Sequence, residues 1–300
     1  MRLKIWLLET RPHFLLLSVT LVLLGTAISW NAGYFHGLRF VLTALGLLLA
    51  HTSVNVLNDY FDYKSGIDLE TTRTPFSGGS GILSQGLLKP ISVYRFGVGC
   101  LVLALPIGIY LTLVSGWQLL PLIILGGLVI YFYTSHLAKW LIGELWAGLG
   151  LGSLPVLGTY FIQTGSYSAG AIVASLAPGF LTANLLLLNE LPDVEADRKG
   201  GRCHLVIALG LKKASRLYAG LMAMTYLCII GGVVSRLMPP ASLIALASVP
   251  FALKAIRIAF KHYDNVHELI PALRANVITV LGTNALLAFG YFLSCFQRTL

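Results

Sequence analysis

Charge is scarce in these 300 residues: 11% are Asp, Glu, Lys or Arg, against 56% hydrophobic. A mean hydropathy of +0.80 accompanies that balance. Such a composition excludes an ordinary soluble domain and points to a polytopic membrane protein. Cysteine is sparse too. Cys100, Cys203, Cys228 and Cys295 have neither metal-ligand nor disulfide spacing, which argues against a zinc module or a disulfide scaffold and leaves them as small apolar fillers. A cleaved signal peptide is not expected, because the first apolar run follows Arg11 and Pro12 and lacks a small-residue cleavage site.

What the chain does have is apolar length. Runs of about 20 residues, enough to cross the hydrocarbon core, can be drawn at 14–30, 38–57, 93–115, 118–134, 141–161, 170–188, 214–234, 240–259 and 276–296. Threading these nine spans puts the N-terminus and the loops after the second, fourth, sixth and eighth on one side. That side holds 18 of the 21 Lys and Arg residues and all twelve acids. The basic excess marks it as cytoplasmic. Orientation does not account for the acids, which contribute little to it. They imply chemistry on that face.

Most of the acids fall in two stretches, "NVLNDYFDYKSGID" (55–68) and "NELPDVEADRKGGR" (189–202). In the first, Asn55, Asn58, Asp59 and Asp62 stand at i, i+3, i+4 and i+7, one stripe of a helix, and Gly66 offers a turn that folds Asp68 back toward them. In the second, Glu190, Asp193 and Asp197 repeat at i, i+3 and i+7, with Asn189 one turn before Asp193. Pro192 removes a helical hydrogen bond, so a kink or frayed end is expected there. Massed carboxylates repel one another unless a cation sits between them. Oxygen-only donors favour a hard cation, and Mg2+ is commonly shared between carboxylates and substrate phosphates. The predicted metal set is therefore Asn58, Asp59, Asp62, Asp68, Asn189, Asp193 and Asp197. Asn55, Asn58, Lys64, Arg73, Lys139, Arg198, Lys199 and Arg202 are predicted to serve the phosphate oxygens. A diphosphate is the expected substrate group.

With "TRPHFLLLS", "YFYTSHLAKW", "GLGLGSLPVLGTYFIQTG" and "GRCHLVIALG" beside them, these two motifs resemble those of the UbiA superfamily of intramembrane prenyltransferases over nearly the whole chain. "NDYFDYKSGID" and "LGTYFIQTG" look most like the menaquinone-branch 1,4-dihydroxy-2-naphthoate prenyltransferases. "NELPD" and "GRCHL" depart from that branch, which has an arginine-containing form and a lysine and threonine there. The resemblance implies an all-α membrane protein, about nine transmembrane helices around a central cavity, with a cytoplasmic cap formed by the loops after helices 2 and 6. The threading, with an acidic stretch after the second and the sixth span, suggests one membrane-embedded domain, 1–300, in two pseudo-repeated halves of roughly 1–135 and 136–300. The implied reaction is Mg2+-dependent transfer from an isoprenyl diphosphate to a lipophilic or aromatic acceptor at the cell membrane, with no nucleic-acid partner.

Loss of diphosphate would leave an allylic carbocation that must be kept from water. Asp59, Asp62, Asp193 and Asp197 are the candidate catalytic acids, and Tyr131 and Tyr133 are candidate aromatic faces for that cation. Glu144 is a candidate to orient the acceptor or take its proton, with a structural pairing to Lys139 as the alternative. His204 lies close enough to the second motif to matter. The acceptor reading is 1,4-dihydroxy-2-naphthoate, with 4-hydroxybenzoate or a glycerol-phosphate lipid precursor as alternatives. An ion-coupled transporter is the rival class, but acids at helix ends on one side suit one-sided chemistry better than alternating access.

Overall fold

The structure is a computed structural model that describes residues 2–133 and 141–299. Helices follow one another along it: α1 (Arg2–Glu9), α2 (Pro12–Asn31), α3 (Gly37–Ser65), α4 (Ile67–Glu70), α5 (Pro90–Ser115), α6 (Leu120–Phe132), α7 (Gly143–Gly148), α8 (Leu154–Thr164), α9 (Ala169–Lys199), α10 (Leu205–Leu209), α11 (Leu211–Val234), α12 (Val249–His262) and α13 (Val266–Thr299). Eight helical stretches among the described residues are long and apolar enough to cross a membrane. The expected fourth span is present as the shorter apolar helix Trp117–Phe132. The protein is thus an all-α, multi-pass membrane protein.

Apolar side chains alone do not hold helices together in lipid, so close approach and polar cross-links matter more. Both occur here. The span Gly143–Thr164 runs as α7, a π-turn at Leu149–Ser153, and α8, with Leu151 off helical geometry at φ −115°, ψ 23°. The wider turn frees backbone groups, and the Thr182 hydroxyl donates to the Leu151 carbonyl at 3.0 Å. This span also lies tight against α9: a Cβ at Gly148 or at Gly152 would come 2.6 Å from the carbonyl oxygen of Gly179 or of Pro178, respectively. On the other side of α9, Asn184 donates to the Tyr218 carbonyl at 3.0 Å, and the Tyr218 hydroxyl donates to Asn276 Oδ1, also at 3.0 Å. Those bonds tie α9, α11 and α13 through buried groups.

The helix does not fray at Pro192. Helix α9 continues from Ala169 through Lys199 with Pro178 and Pro192 inside it. Leu191 and Val194, on either side, are buried in the core, and packing against neighbouring helices lets a membrane helix carry a proline without ending. Gly66 does make the expected turn. Its φ of +83° is left-handed, where a glycine meets no Cβ penalty, and it swings α4 back under the end of α3.

Candidate active site

The C-terminal ends of α3 and α9 converge, although about 130 residues separate them in sequence. Arg202, just past α9, reaches across: one amino group bonds Asp62 Oδ1, and the other bonds Asp197 Oδ1 at 2.8 Å. Its side chain is 15% exposed. Burial alone would lower the pKa of this guanidinium, but the Asp62 and Asp197 charges outweigh that and raise it. The pair of acidic motifs is therefore one site joined by one cation.

A cavity of about 200 Å³ opens beside it, lined at its polar end by Asn55, Asn58, Asp62, Asp68, Asn189, Asp193, Asp197 and Arg202. Deeper walls are apolar, among them Phe14, Leu17, Val129, Ile130, Leu151 and Leu185, with Tyr133 on the same surface. A second cavity of about 200 Å³, almost wholly apolar, shares Gly126, Ile130, Gly150 and Leu151 with the first. The two form a polar mouth leading into an oily interior.

Glycine and serine in the loop after α4 close over the mouth. Gly78 and Gly79 have φ of +79° and +69°. In that conformation the Gly78 amide donates to Asp193 Oδ2 at 3.2 Å and the Ser80 amide donates to Asp59 Oδ2 at 2.8 Å. A Cβ on Gly79 would stand 2.7 Å from Asp68 Oδ2, so the backbone approaches this acid as only glycine permits. Burial, then the Asp62 and Asp59 charges, push the Asp68 carboxyl up to about 8. The loop is also fastened from the N-terminus, since the Ser80 hydroxyl donates to Glu9 Oε2 at 3.0 Å. Burial, followed by the charge of Asp59, raises Glu9 to about 7.

Several predicted residues do not reach the cavity. Lys64 is exposed at the end of α3. Arg73 turns back into its own loop and bonds the Ser80 carbonyl. Arg198 pairs with Glu195 at 3.2 Å and Lys199 with Glu70 at 2.7 Å, all four side chains exposed. Helical spacing explains the pair at the end of α9, because Arg198 and Lys199 follow Asp197 directly and so point away from its face. Tyr131 is removed from the site for the same reason: it lies two residues from Tyr133 on a helix, and its hydroxyl is 3.2 Å from that of Tyr94. Asp59 is set behind the mouth, 1% exposed, with Arg11 3.7 Å from its Oδ1. Lys139 lies outside the described residues.

Arg11, Glu9 and the amides of Gly78 and Ser80 are members that sequence reasoning missed. Arg11 bears on the cavity, has a left-handed φ of 53° and sits 3.5 Å from Asn58 Oδ1. The signal was present: Arg11 stands in the quoted "TRPHF", and Glu9 is the single acid before Asp59. Asn58 in turn donates to Asp62 Oδ2 at 2.9 Å, and Asn55 to the Thr10 carbonyl at 2.9 Å, so the first motif is braced by the segment before α2.

Comparison with known proteins identifies the family and the fold. The model of the UbiA prenyltransferase family matches residues 16–277. A 1,4-dihydroxy-2-naphthoate octaprenyltransferase of Bacillus subtilis is 30% identical over 96% of this chain and 92% of that enzyme. The enzyme of the same name from Escherichia coli is 29% identical over 98% of this chain and 96% of its own. Among solved structures, a UbiA homolog from Archaeoglobus fulgidus bound to GPP and Mg2+ superposes with a TM-score of 0.65 at 17% identity, covering 94% of this chain and 99% of that one. With a family match across most of its length and relatives aligned nearly end to end, the chain belongs to the UbiA prenyltransferase family and is a prenyltransferase.

Proposed function

We propose that the chain moves an isoprenyl group from an isoprenyl diphosphate to 1,4-dihydroxy-2-naphthoate, with Mg2+ held at the polar mouth. The observation that carries this reading is the meeting of two acidic helix ends across Arg202 at the entrance of an apolar cavity. The donor set suits the metal. Asn58, Asp62, Asp68, Asn189, Asp193 and Asp197 offer only oxygen toward the cavity from their carboxylates and amides. Asn189 Oδ1 and Asp193 Oδ1 are buried without a hydrogen-bond partner, which is costly unless a ligand completes them. When bound, Mg2+ supplies positive charge that stabilises the departing diphosphate.

The chain's own groups divide the remaining work. Arg202 and Arg11 bring fixed cations to the diphosphate oxygens, and Arg202 in addition keeps Asp62 and Asp197 facing one another. Tyr133 presents an aromatic surface in the cavity for the allylic cation left behind. The apolar walls and the loop over the mouth keep water from it, and the second cavity gives the isoprenyl tail somewhere to lie. The acidic helix ends face the cytoplasm in this reading, as the basic excess on that side requires.

The names of the Bacillus subtilis and Escherichia coli relatives favour the naphthoate over other acceptors. The test is to incubate the purified protein in detergent with Mg2+, isoprenyl diphosphates of several lengths and, in separate tubes, dihydroxynaphthoate, 4-hydroxybenzoate and a glycerol-phosphate lipid precursor. Mass spectrometry should find a prenylated product in the naphthoate tube. Product only from one of the other acceptors would overturn the acceptor, and no product with any would overturn the reaction.

A further inference from the structure

Beside the proposed Mg2+ donors lies a group of side chains given no part in holding the diphosphate, one of which, Glu190, belongs to the second acidic motif and also lines the cavity. Glu144 of α7, Glu190 of α9 and His204, which precedes α10, are 1%, 7% and 1% exposed. One ligand atom from each falls within 4.8 Å of the other two. Glu144 Oε2, Glu190 Oε2 and His204 Nδ1 are buried and accept no hydrogen bond from a donor among the described residues.

The partners on the far side of each group decide what these atoms are. His204 Nε2 is 3.1 Å from Asp197 Oδ2, so this nitrogen carries the hydrogen, and the tautomer so assigned leaves a bare lone pair on Nδ1. Nδ1 is 3.6 Å from Glu190 Oε2. Glu144 Oε1 accepts the Leu205 amide at 2.9 Å, which orients the carboxylate and leaves Oε2 directed inward. With His204 in that tautomer, two carboxylates and an imidazole lone pair converge in a buried space, where Glu144 and Glu190 lie within hydrogen-bonding reach of one another. Two carboxylates and an imidazole lone pair so placed repel unless something positive lies between.

We infer that Glu144, Glu190 and His204 form a binding site for one divalent transition-metal ion, separate from the Mg2+ and diphosphate site. One nitrogen and two oxygens suit zinc or a neighbouring first-row ion better than the oxygen-seeking Mg2+. Bonds of about 2.0 to 2.2 Å to such an ion require donors roughly 3 to 4 Å apart, so the side chains need only a small contraction. A carboxylate on the far nitrogen of a ligating histidine, here Asp197, is the usual way to fix ring orientation and strengthen the ligand. The ion pins α7, α9 and the turn at 200–204 together, and through His204 it sets the position of Asp197 at the mouth of the cavity. Neither the diphosphate nor the acceptor is needed for this site to be complete.

The experiment is a metal count. Full-length protein in detergent is stripped on chelating resin, incubated with Zn2+ or, separately, Mn2+, desalted and analysed by inductively coupled plasma mass spectrometry. Wild type should retain about one equivalent of one of these ions and gain thermal stability from it. Retention should drop at least tenfold in Glu144→Gln and in His204→Gln. Cys203→Ser and Asp193→Asn should retain the ion, which separates this site from the neighbouring exposed thiol and from the Mg2+ ligands. X-ray absorption at the metal edge should carry an imidazole signature that His204→Gln lacks; if that variant does not fold, Glu144→Gln carries the comparison. Folded wild type that retains neither ion would overturn the proposal and mean that protons, shared among the three groups, neutralise the cluster. Loss of the ion in Cys203→Ser with full retention in Glu144→Gln would overturn it equally.

Discussion

The two acidic helix ends have nearly the same spacing, yet they are held in opposite ways. At the end of α3 the support comes from outside the bundle: Thr10, Arg11 and Ser80 take Asn55, Asn58 and Asp59, leaving Asp62 for Arg202. At the end of α9 the support comes mainly from the turn that follows it, with one loop amide, that of Gly78, on Asp193. Asp197 is bonded by Arg202 in front and His204 behind, while Asn189 and Asp193 keep unpartnered oxygens toward the cavity. Spacing decides which residues share a helix face. What each residue then faces is decided by segments far away in the chain, so equal motifs acquire unequal tasks. The first end is tied to the N-terminal segment and the loop, whereas the second is tied chiefly to the turn that follows it and meets the loop only at Asp193.

The hardest strain on this comparison comes from removing one acid from each end. Asp62→Ala and Asp193→Ala should each lower turnover by about a thousandfold or more, the effect expected when leaving-group stabilisation of several kcal/mol is lost. Chelation with EDTA should do the same to wild type, and helical content by circular dichroism should stay unchanged throughout. Activity in the presence of EDTA would sink the metal reading for both ends. A full loss in one variant with little change in the other would show that a single end holds the ion.

Next in size are the arginines. Arg202→Gln should weaken diphosphate binding by tens of fold, measured by isothermal titration with a non-reactive analogue, because it removes the cation shared by both ends. It should also lower the melting temperature, since breaking a buried ion pair from one side costs about 3 to 5 kcal/mol. Arg202→Lys keeps the charge but not the planar fork, and should recover only part of the affinity. Arg11→Gln should cost about tenfold, as a cation that touches the first end alone. Arg73→Gln should change affinity less than about twofold, because that side chain is exposed and bonds its own loop. An equal loss for Arg73 and Arg202 would mean that the loop arginine turns inward when diphosphate binds.

These cases mark how far the sequence could be read. Apolar runs of spanning length, helix-face spacing in 55–62 and 189–197, and the turn at Gly66 are local properties, and they appear in the structure save that the fourth run is a shorter helix and Asp59 stands off the cavity. Tyr131 against Tyr133 was open to the same reasoning, since two residues on a helix cannot share a face, and the structure turns Tyr131 to Tyr94. The basic residues were harder. Any Lys or Arg near a motif looks like a phosphate ligand, and only tertiary packing shows Arg198 and Lys199 spent on exposed Glu195 and Glu70 while Arg11 comes in from the N-terminus. Loop amides are invisible to side-chain reading altogether: the bonds from Gly78 and Ser80 depend on backbone geometry, for which the glycines were the one hint. Continuity through Pro192 likewise depends on neighbours that a single helix does not reveal.

The smallest effect concerns protons, and it sharpens the comparison because it belongs to the first end only. Burial, then the Asp62 and Asp59 charges, push Asp68 up to about 8, so it carries a proton at pH 7 when no cation is bound. A metal ligand must be deprotonated, so binding of Mg2+ with diphosphate has to release that proton. The sign follows directly: affinity should rise by roughly fivefold as pH goes from 7 to 8 and level off about a unit higher, after correction for ionisation of the diphosphate itself. Titration calorimetry in buffers of different ionisation enthalpy should count close to one proton released at pH 7. Asp68→Asn carries no such proton, so its affinity should be lower at pH 8 and nearly flat with pH. If the slope persists in Asp68→Asn, the proton comes from another group, and Glu9, raised to about 7 and bonded to Ser80 of the loop, is the one to remove next by Glu9→Gln.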